Sequence, residues 1–304
     1  MKRRFVTLDV FTDKALSGNP LAVVFDADDL TDAAMQAIAG EFNLSETVFV
    51  QTPERSIHSA RLRIFTPAAE LPFAGHPTVG AAVLLAMDRV GGPVEAETDL
   101  LVVLEEKIGI VRVAVVLTPD RPGYAVFDVP KLPEPVPATL DRDAIAEALG
   151  LTRHQIGFEN HKPCRYGAGV DFTYVPVAGI EAIRAATVNM AAWDDAFGHD
   201  DHAAAFVYCR ETVSSSAGFH ARMFAPAMGI TEDPATGAAV AAFAGVVAEF
   251  DAPREGEHRI GVEQGHEMGR PSLIKLELDI AAGRLDAVRI GGQAVQVAEG
   301  VIEI

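Results

Sequence analysis

A repeated segment constrains this chain more than any other feature, because a duplicated pattern fixes the architecture before any single motif is read. The first copy runs Ala60-Arg61-Leu62-Arg63-Ile64-Phe65-Thr66-Pro67 and resumes after a loop with Pro77-Thr78-Val79-Gly80-Ala81-Ala82-Val83. The second runs Ala221-Arg222-Met223-Phe224-Ala225-Pro226 and resumes with Pro234-Ala235-Thr236-Gly237-Ala238-Ala239-Val240. Each reads as a strand, a Phe-x-Pro turn, a short loop and a helix opened by proline. Pro77 and Pro234 stand 157 residues apart, about half of the 304-residue chain. Two alanine-rich helices can look alike by chance, but chance does not bring the Phe-x-Pro turn with them, so duplication is the reading adopted.

The boundary between the halves is placed at residues 129–137, where Pro130, Pro133, Pro135 and Pro137 favour an extended connection. This predicts domains at 1–128 and 129–291, with a C-terminal strand at about 292–304 returning to the first. Runs rich in Val, Ile, Phe and Thr predict strands at 5–10, 21–25, 47–51, 60–65, 100–105 and 110–116, and again at 172–177, 204–208, 221–224, 273–278 and 287–290. Gly291-Gly292 is read as a turn before the last strands, 295–297 and 301–304. Thr31 is a capping residue for a helix with Met35, Ile38 and Phe42 on one face, and Asn43 ends it. Further outer helices are predicted at 141–149 and 180–192. The helices opened by Pro77 and Pro234 are apolar on nearly every face, so other structure must enclose them. The fold class is therefore α+β: two pseudo-symmetric domains, each a barrel-like, largely antiparallel sheet wrapped around a central helix.

With 43 Asp+Glu against 25 Lys+Arg, the formal charge of −18 repels nucleic acid and anionic lipid. The longest apolar run, near residues 81–87, is far short of the roughly 20 residues of a membrane span. The basic start Met1-Lys2-Arg3-Arg4 meets no apolar stretch of the signal-peptide kind, and the chain reads as cytoplasmic. Cys164 and Cys209 form no ligand spacing, and His199-Asp200-Asp201-His202 reads as a polar turn rather than a metal site. Gly291-Gly292 fits no nucleotide-binding loop, and no hydrolase or zincin motif occurs, so no cofactor and no metal are expected.

Chemistry is sought at the paired helix starts, where unbonded N–H groups and the helix dipole hold carboxylates and oxyanions. The polar residues preceding the two prolines are His76 and Asp233, and Ala74, Gly75, Thr236, Gly237 and Ala238 let a ligand approach the backbone. Taken singly, His76 and Asp233 also read as plain helix caps. Their places in related copies suggest one shared cleft with divided roles. Glu46 follows a helix and opens a hydrophobic strand, where burial suits a carboxyl that takes and returns a proton; a solvated helix-end glutamate is the alternative.

Six ordered motifs carry a resemblance: Asp9-Val10-Phe11-Thr12 with Gly18-Asn19-Pro20-Leu21-Ala22-Val23; Asn43-Leu44-Ser45-Glu46-Thr47; Phe65-Thr66-Pro67; Gly75-His76-Pro77-Thr78; Glu232-Asp233-Pro234-Ala235-Thr236-Gly237; and Gln264-Gly265 with Gly269-Arg270-Pro271. Through them the chain resembles the PhzF family of phenazine-biosynthesis isomerases, which share the diaminopimelate epimerase fold. The resemblance implies a homodimer, with an active site between two barrel-like domains and Asn19 among the substrate contacts. It implies that Glu46 shuttles a proton on a small carboxylate-bearing metabolite, with His76 and Asp233 as partners. Neither helix-start motif holds the cysteine of the fold's two-thiol racemases, and Ala238 stands where the family often has a hydroxyl. A binding protein that has lost turnover, and a lyase or dehydratase using the same proton abstraction, remain the alternatives.

Overall fold

The computed structural model describes residues 1–198 and 203–304, so the motif His199-Asp200-Asp201-His202 lies outside the described residues. Contacts gather the chain into two units, Met1–Asp128 with Gly291–Ile304, and Val129–Ile290.

In the first unit, β1 (Lys2–Val10) pairs antiparallel with β2 (Asn19–Val24), and α1 (Asp32–Phe42) carries the chain over to β3 (Glu46–Gln51), which runs parallel to β2. Both ends of α1 are where the sequence predicts them. The Thr31 hydroxyl accepts from the Ala34 N–H at 3.2 Å, and Asn43 closes the helix in the left-handed region at φ 50°. β4 (Ala60–Phe65) pairs antiparallel with β3 and with the short β5 (Glu70–Leu71). After α2 (Gly75–Val90), β6 (Thr98–Glu106) lies parallel to β4 and starts a meander through β7 (Gly109–Leu117) and β8 (Gly123–Asp128). The chain's last strand pairs with β8 and, antiparallel, with β1 from Lys2↔Glu303 to Val10↔Ala294, which closes an eight-stranded ring. Inside it lies α2, against β1, β2, β3, β6, β7 and β8. Val79, Val83 and Leu84 are almost completely buried, each contributing about 2 kcal/mol that an exposed helix would forgo.

The second unit repeats the ladders in the same order. β9 (Glu134–Pro135) and α3 (Arg142–Ala148) precede β10 (Cys164–Gly167), which is antiparallel to β11 (Asp171–Pro176). Beyond α4 (Ile180–Ala185) and α5 (Met190–Phe197), β12 (Ala205–Cys209) runs parallel to β11 and antiparallel to β13 (Phe219–Ala225). β13 is antiparallel to β14 (Ile230–Asp233) and, past α6 (Gly237–Phe250), parallel to β15 (Gly256–Gln264), which pairs with β16 (Ser272–Ala281). α6 packs on β9, β10, β11 and β16 as the central helix. β17 (Arg284–Glu303) runs from this unit into the first.

Two expectations are corrected. The helix predicted at 180–192 is two, because the Thr187 and Asn189 N–H groups bond to the Leu149 and Ala148 carbonyls at the end of α3. Thr187-Val188-Asn189 are weak helix formers, and Asn189 caps α5 instead. Gly291-Gly292 is no turn but the middle of β17. A Cβ on Gly291 would meet the Tyr124 hydroxyl at 2.5 Å and one on Gly292 the Phe11 ring at 2.3 Å, so these glycines serve close approach.

The duplication extends to side chains. Arg63 forks onto Glu70 through two contacts of 2.8 Å and covers the Phe65 ring; Arg222 forks onto Glu232 at the same two distances and covers Phe224. Arg222 also donates to the Ile183 and Ala186 carbonyls and is 8% exposed. Breaking a buried pair of this kind costs about 3–5 kcal/mol. Arg222→Met is therefore expected to destabilise the protein by about 3 kcal/mol in urea unfolding, and Arg61→Met, at an exposed pair, by less than about 1 kcal/mol.

Candidate active site

Both central helices start elsewhere than the prolines suggest. α2 begins at Gly75, with Ala74 as N-cap, so His76 lies within its first turn. Pro77 fits there because its missing N–H would have no intrahelical acceptor. The Thr78 N–H makes the first helical bond, to the Ala74 carbonyl, which leaves the N–H groups of Gly75 and His76 directed beyond the helix. α6 begins at Gly237 with Thr236 as N-cap, and Asp233 ends β14 rather than capping the helix.

In the first unit the starts of β2, β3 and α2 converge. Asn19 opens β2 and is fully buried, and Leu21 pairs with Glu46, the first residue of β3. His76 is 4% exposed. Its ring donates to the Pro20 carbonyl, and because Nε2 makes no hydrogen bond the donor is Nδ1. Burial pushes the His76 pKa down to about 3, so the imidazole is neutral and presents an Nε2 lone pair. That lone pair stands 3.4 Å from Glu46 Oε2, on a side chain that keeps only 15% of its surface in water. With a neutral ring the contact is no ion pair, and Nε2 turns only an acceptor towards Glu46.

In the second unit Asp233 is 8% exposed, and its Oδ2 accepts from the Thr236 hydroxyl at 2.5 Å. Gln264, fully buried, fastens the loop: its amide donates to the Asp233 carbonyl at 2.7 Å and to Thr236 Oγ1 at 3.1 Å, and its carbonyl accepts from the Thr236 N–H at 3.1 Å. Gly265, at φ +77°, backs this loop with no room for a Cβ, which would fall 2.6 Å from the Pro234 carbonyl. Gly237 is buried and Ala238 half-buried in the first turn of α6, where Ala238 offers no hydroxyl.

Three residues beside these helix starts were not singled out from sequence. In the sequence Gln264 and Thr78 stand out only as members of motifs. Thr78 and Glu106 meet at 2.8 Å behind the start of α2. Glu106 was legible in principle: it is in phase with Val102 and Leu104 on the inward face of β6, where a carboxyl group has to be buried.

A third group pairs His220 Nδ1 with Glu263 at 2.6 Å and Nε2 with Glu267 at 3.1 Å. His220, Glu263 and His266 bring ligand atoms within 4.8 Å of one another, but both nitrogens of His220 face carboxylates, the arrangement of a protonated clamp rather than a ligand. Glu263 also accepts from the Val213 and Ser214 N–H groups, just as Glu105 in the first unit accepts from Glu54, Arg55 and His58. These clamps hold loops.

Residues 8–300 match the family model described as phenazine biosynthesis-like protein. The chain is 50% identical to an uncharacterized isomerase of Mesorhizobium japonicum over 99% of each chain. It is 35% identical to the trans-2,3-dihydro-3-hydroxyanthranilate isomerase of Pseudomonas aeruginosa over 98% of each. Among solved structures, a PhzF-family phenazine biosynthesis protein of Bacillus anthracis superposes with a TM-score of 0.87 at 26% identity, each chain fully covered. Fold and relatives together define an isomerase built of α+β barrels around central helices. The chain belongs to the phenazine biosynthesis-like, or PhzF, family. No helix among its described residues is long and apolar enough to cross a membrane.

The His220 clamp makes stability depend on pH with a definite sign. Burial pushes the His220 pKa down, but Glu263 and Glu267 outweigh it and hold the ring at about 9. A raised folded-state pKa contributes fully below the unfolded value near 6.5 and is lost as pH rises towards 9. Unfolding free energy is expected to fall by roughly 2–3 kcal/mol over that window, and His220→Gln to flatten the decline. Urea titrations at pH 6.5 and 9 check this.

Proposed function

We propose that the protein catalyses a cofactor-independent proton transfer on a small carboxylate-bearing metabolite, with Glu46 as the group that removes and returns the proton. One observation carries the reading: the half-buried Glu46 carboxyl lies 3.4 Å from the lone pair of a neutral His76 at the start of α2. Glu46 takes a proton from an activated C–H beside a conjugated carboxylate and delivers it to another carbon, while His76 Nε2 accepts a hydrogen bond from the protonated form. The free N–H groups of Gly75 and His76 suit the substrate carboxylate or the charge that develops on it. Asn19 and Ala74 are assigned as further substrate contacts from the first unit. The family likeness supports assigning Asp233 as an acid/base residue, with Thr236, Gly237 and Ala238 as binding residues, at the start of the second unit's central helix. The work is moving one proton between two carbons, which these carboxyl and imidazole groups are equipped to do without a metal or coenzyme.

The named relative supplies the first compound to try, trans-2,3-dihydro-3-hydroxyanthranilate. Isomerisation conserves mass and, in D2O, marks the accepting carbon, so NMR and mass spectrometry together separate it from elimination. Glu46→Gln is expected to lower turnover by about 10²–10³-fold while unfolding hardly changes, the size of a lost general acid/base. Asp233→Asn keeps an oxygen for the Thr236 hydroxyl, so it is expected to lower turnover at least tenfold and to cost less than about 1 kcal/mol of stability. Unimpaired turnover by Glu46→Gln would remove the proposed base. The PhzF likeness also points to a cytoplasmic homodimer, and light scattering that returns the single-chain mass of 32.3 kDa would refute the dimer.

A further inference from the structure

Glu106 is the last residue of β6, and Gln264 is the last residue of β15, the corresponding strand of the second unit. Each reaches a threonine at the start of its own unit's central helix. Gln264 donates through its amide nitrogen to Thr236 Oγ1. Glu106 Oε1 lies 2.8 Å from Thr78 Oγ1, and the same hydroxyl lies 2.8 Å from the Ala74 carbonyl. Thr78 has a single hydroxyl hydrogen and two oxygen neighbours, so one of its contacts needs a hydrogen from elsewhere. The Ala74 carbonyl has none to give. A protonated Glu106 supplies it and stands in for the donor that Gln264 is by its chemistry. Glu106 Oε2 is buried and makes no hydrogen bond, which a neutral acid tolerates far better than a carboxylate.

Resting on the reading that the start of α2 binds substrate, we propose that Glu106 is a positioning residue of the isomerase. Held as the neutral acid, it donates to Thr78, directs the Thr78 hydroxyl hydrogen onto the Ala74 carbonyl, and so fixes the peptide from which α2 presents the Gly75 and His76 N–H groups. Loss of the Glu106 proton turns the Thr78 hydrogen towards the carboxylate and frees the Ala74 carbonyl of one bond. The transition falls in the working range, because burial raises the Glu106 pKa to about 8 against a smaller lowering by Thr78. The charges around it are engaged with one another: Lys107 with Glu70, Arg63 with Glu70 and Asp32, Arg61 with Glu54, and His58 with Glu105. His76, on the same turn as Thr78, is neutral. Arg55 lines the groove beside Glu106, and neutralising it is a control for long-range charge.

The test needs no substrate. Amide 1H and 15N shifts of Gly75 and His76 are followed from pH 6 to 10 in the full-length protein. An inflection near pH 8 is expected in the wild type, to be absent in Glu106→Gln, whose amide keeps the donor, and to persist in Arg55→Gln. An inflection that survives Glu106→Gln, or none in the wild type, overturns the proposal. Turnover of trans-2,3-dihydro-3-hydroxyanthranilate is the second readout. The wild-type kcat is expected to fall about tenfold per pH unit above the inflection, while Glu106→Gln stays within about threefold of its neutral value. A wild-type alkaline fall that Glu106→Gln retains overturns the proposal as well. Inactivity towards this compound counts against the substrate reading instead, and leaves the amide titration to decide the role of Glu106.

Discussion

A helix without a polar face has to be surrounded, and the placement of functional groups in this protein follows from that requirement. α2 and α6 are apolar over almost their whole circumference, so each is packed against strands of its own unit. Burying the body of a helix leaves its first N–H groups as the place where the backbone remains short of acceptors. The residues assigned to chemistry gather at those ends: Asn19, Glu46 and His76 around the start of α2, and Asp233 and Thr236 at the start of α6. The same enclosure desolvates His76 and keeps its imidazole neutral, so packing and protonation state have one cause.

The two copies of the scaffold share their supports and differ in the residues at their helix starts. The Arg63–Glu70 and Arg222–Glu232 forks, and the Glu105 and Glu263 loop clamps, are retained nearly contact for contact. At the helix starts the copies part: α2 takes Pro77 into its first turn, whereas Pro234 and Ala235 stay outside α6, fastened by Gln264. Strands pair through backbone, which tolerates sequence drift; a helix start is defined by a few caps and can move by a turn when they change.

Much of this was legible in the sequence where local rules decide. Thr31 and Asn43 mark the two ends of α1 because capping is a matter of adjacent residues. The central helices were visible as apolar stretches, but their first residues were not, since Ala74 and Thr236 make no side-chain cap hydrogen bond that a pattern of residue types would betray. Gly291-Gly292 was misread because glycine marks turns and close approaches alike, and only the neighbouring Tyr124 and Phe11 separate the two. His76 stands out through the repeat and Glu46 through its place at the start of a hydrophobic strand, both with the family likeness, yet their approach joins two elements whose register no local rule predicts. Glu106 escaped because Glu105-Glu106 looks like a solvated strand end unless its phase with Val102 and Leu104 is followed inward.

The continuity of β17 governs the order in which the protein can be assembled. The first unit's ring is closed by residues that follow the whole of the second unit in the chain, with Val10 waiting for Ala294 and Lys2 for Glu303. On the ribosome, the N-terminal half emerges first but exposes the unpaired edges of β1 and β8 until the final strand is made, while the second unit already has all its residues. Folding of this chain therefore finishes at the domain it began with.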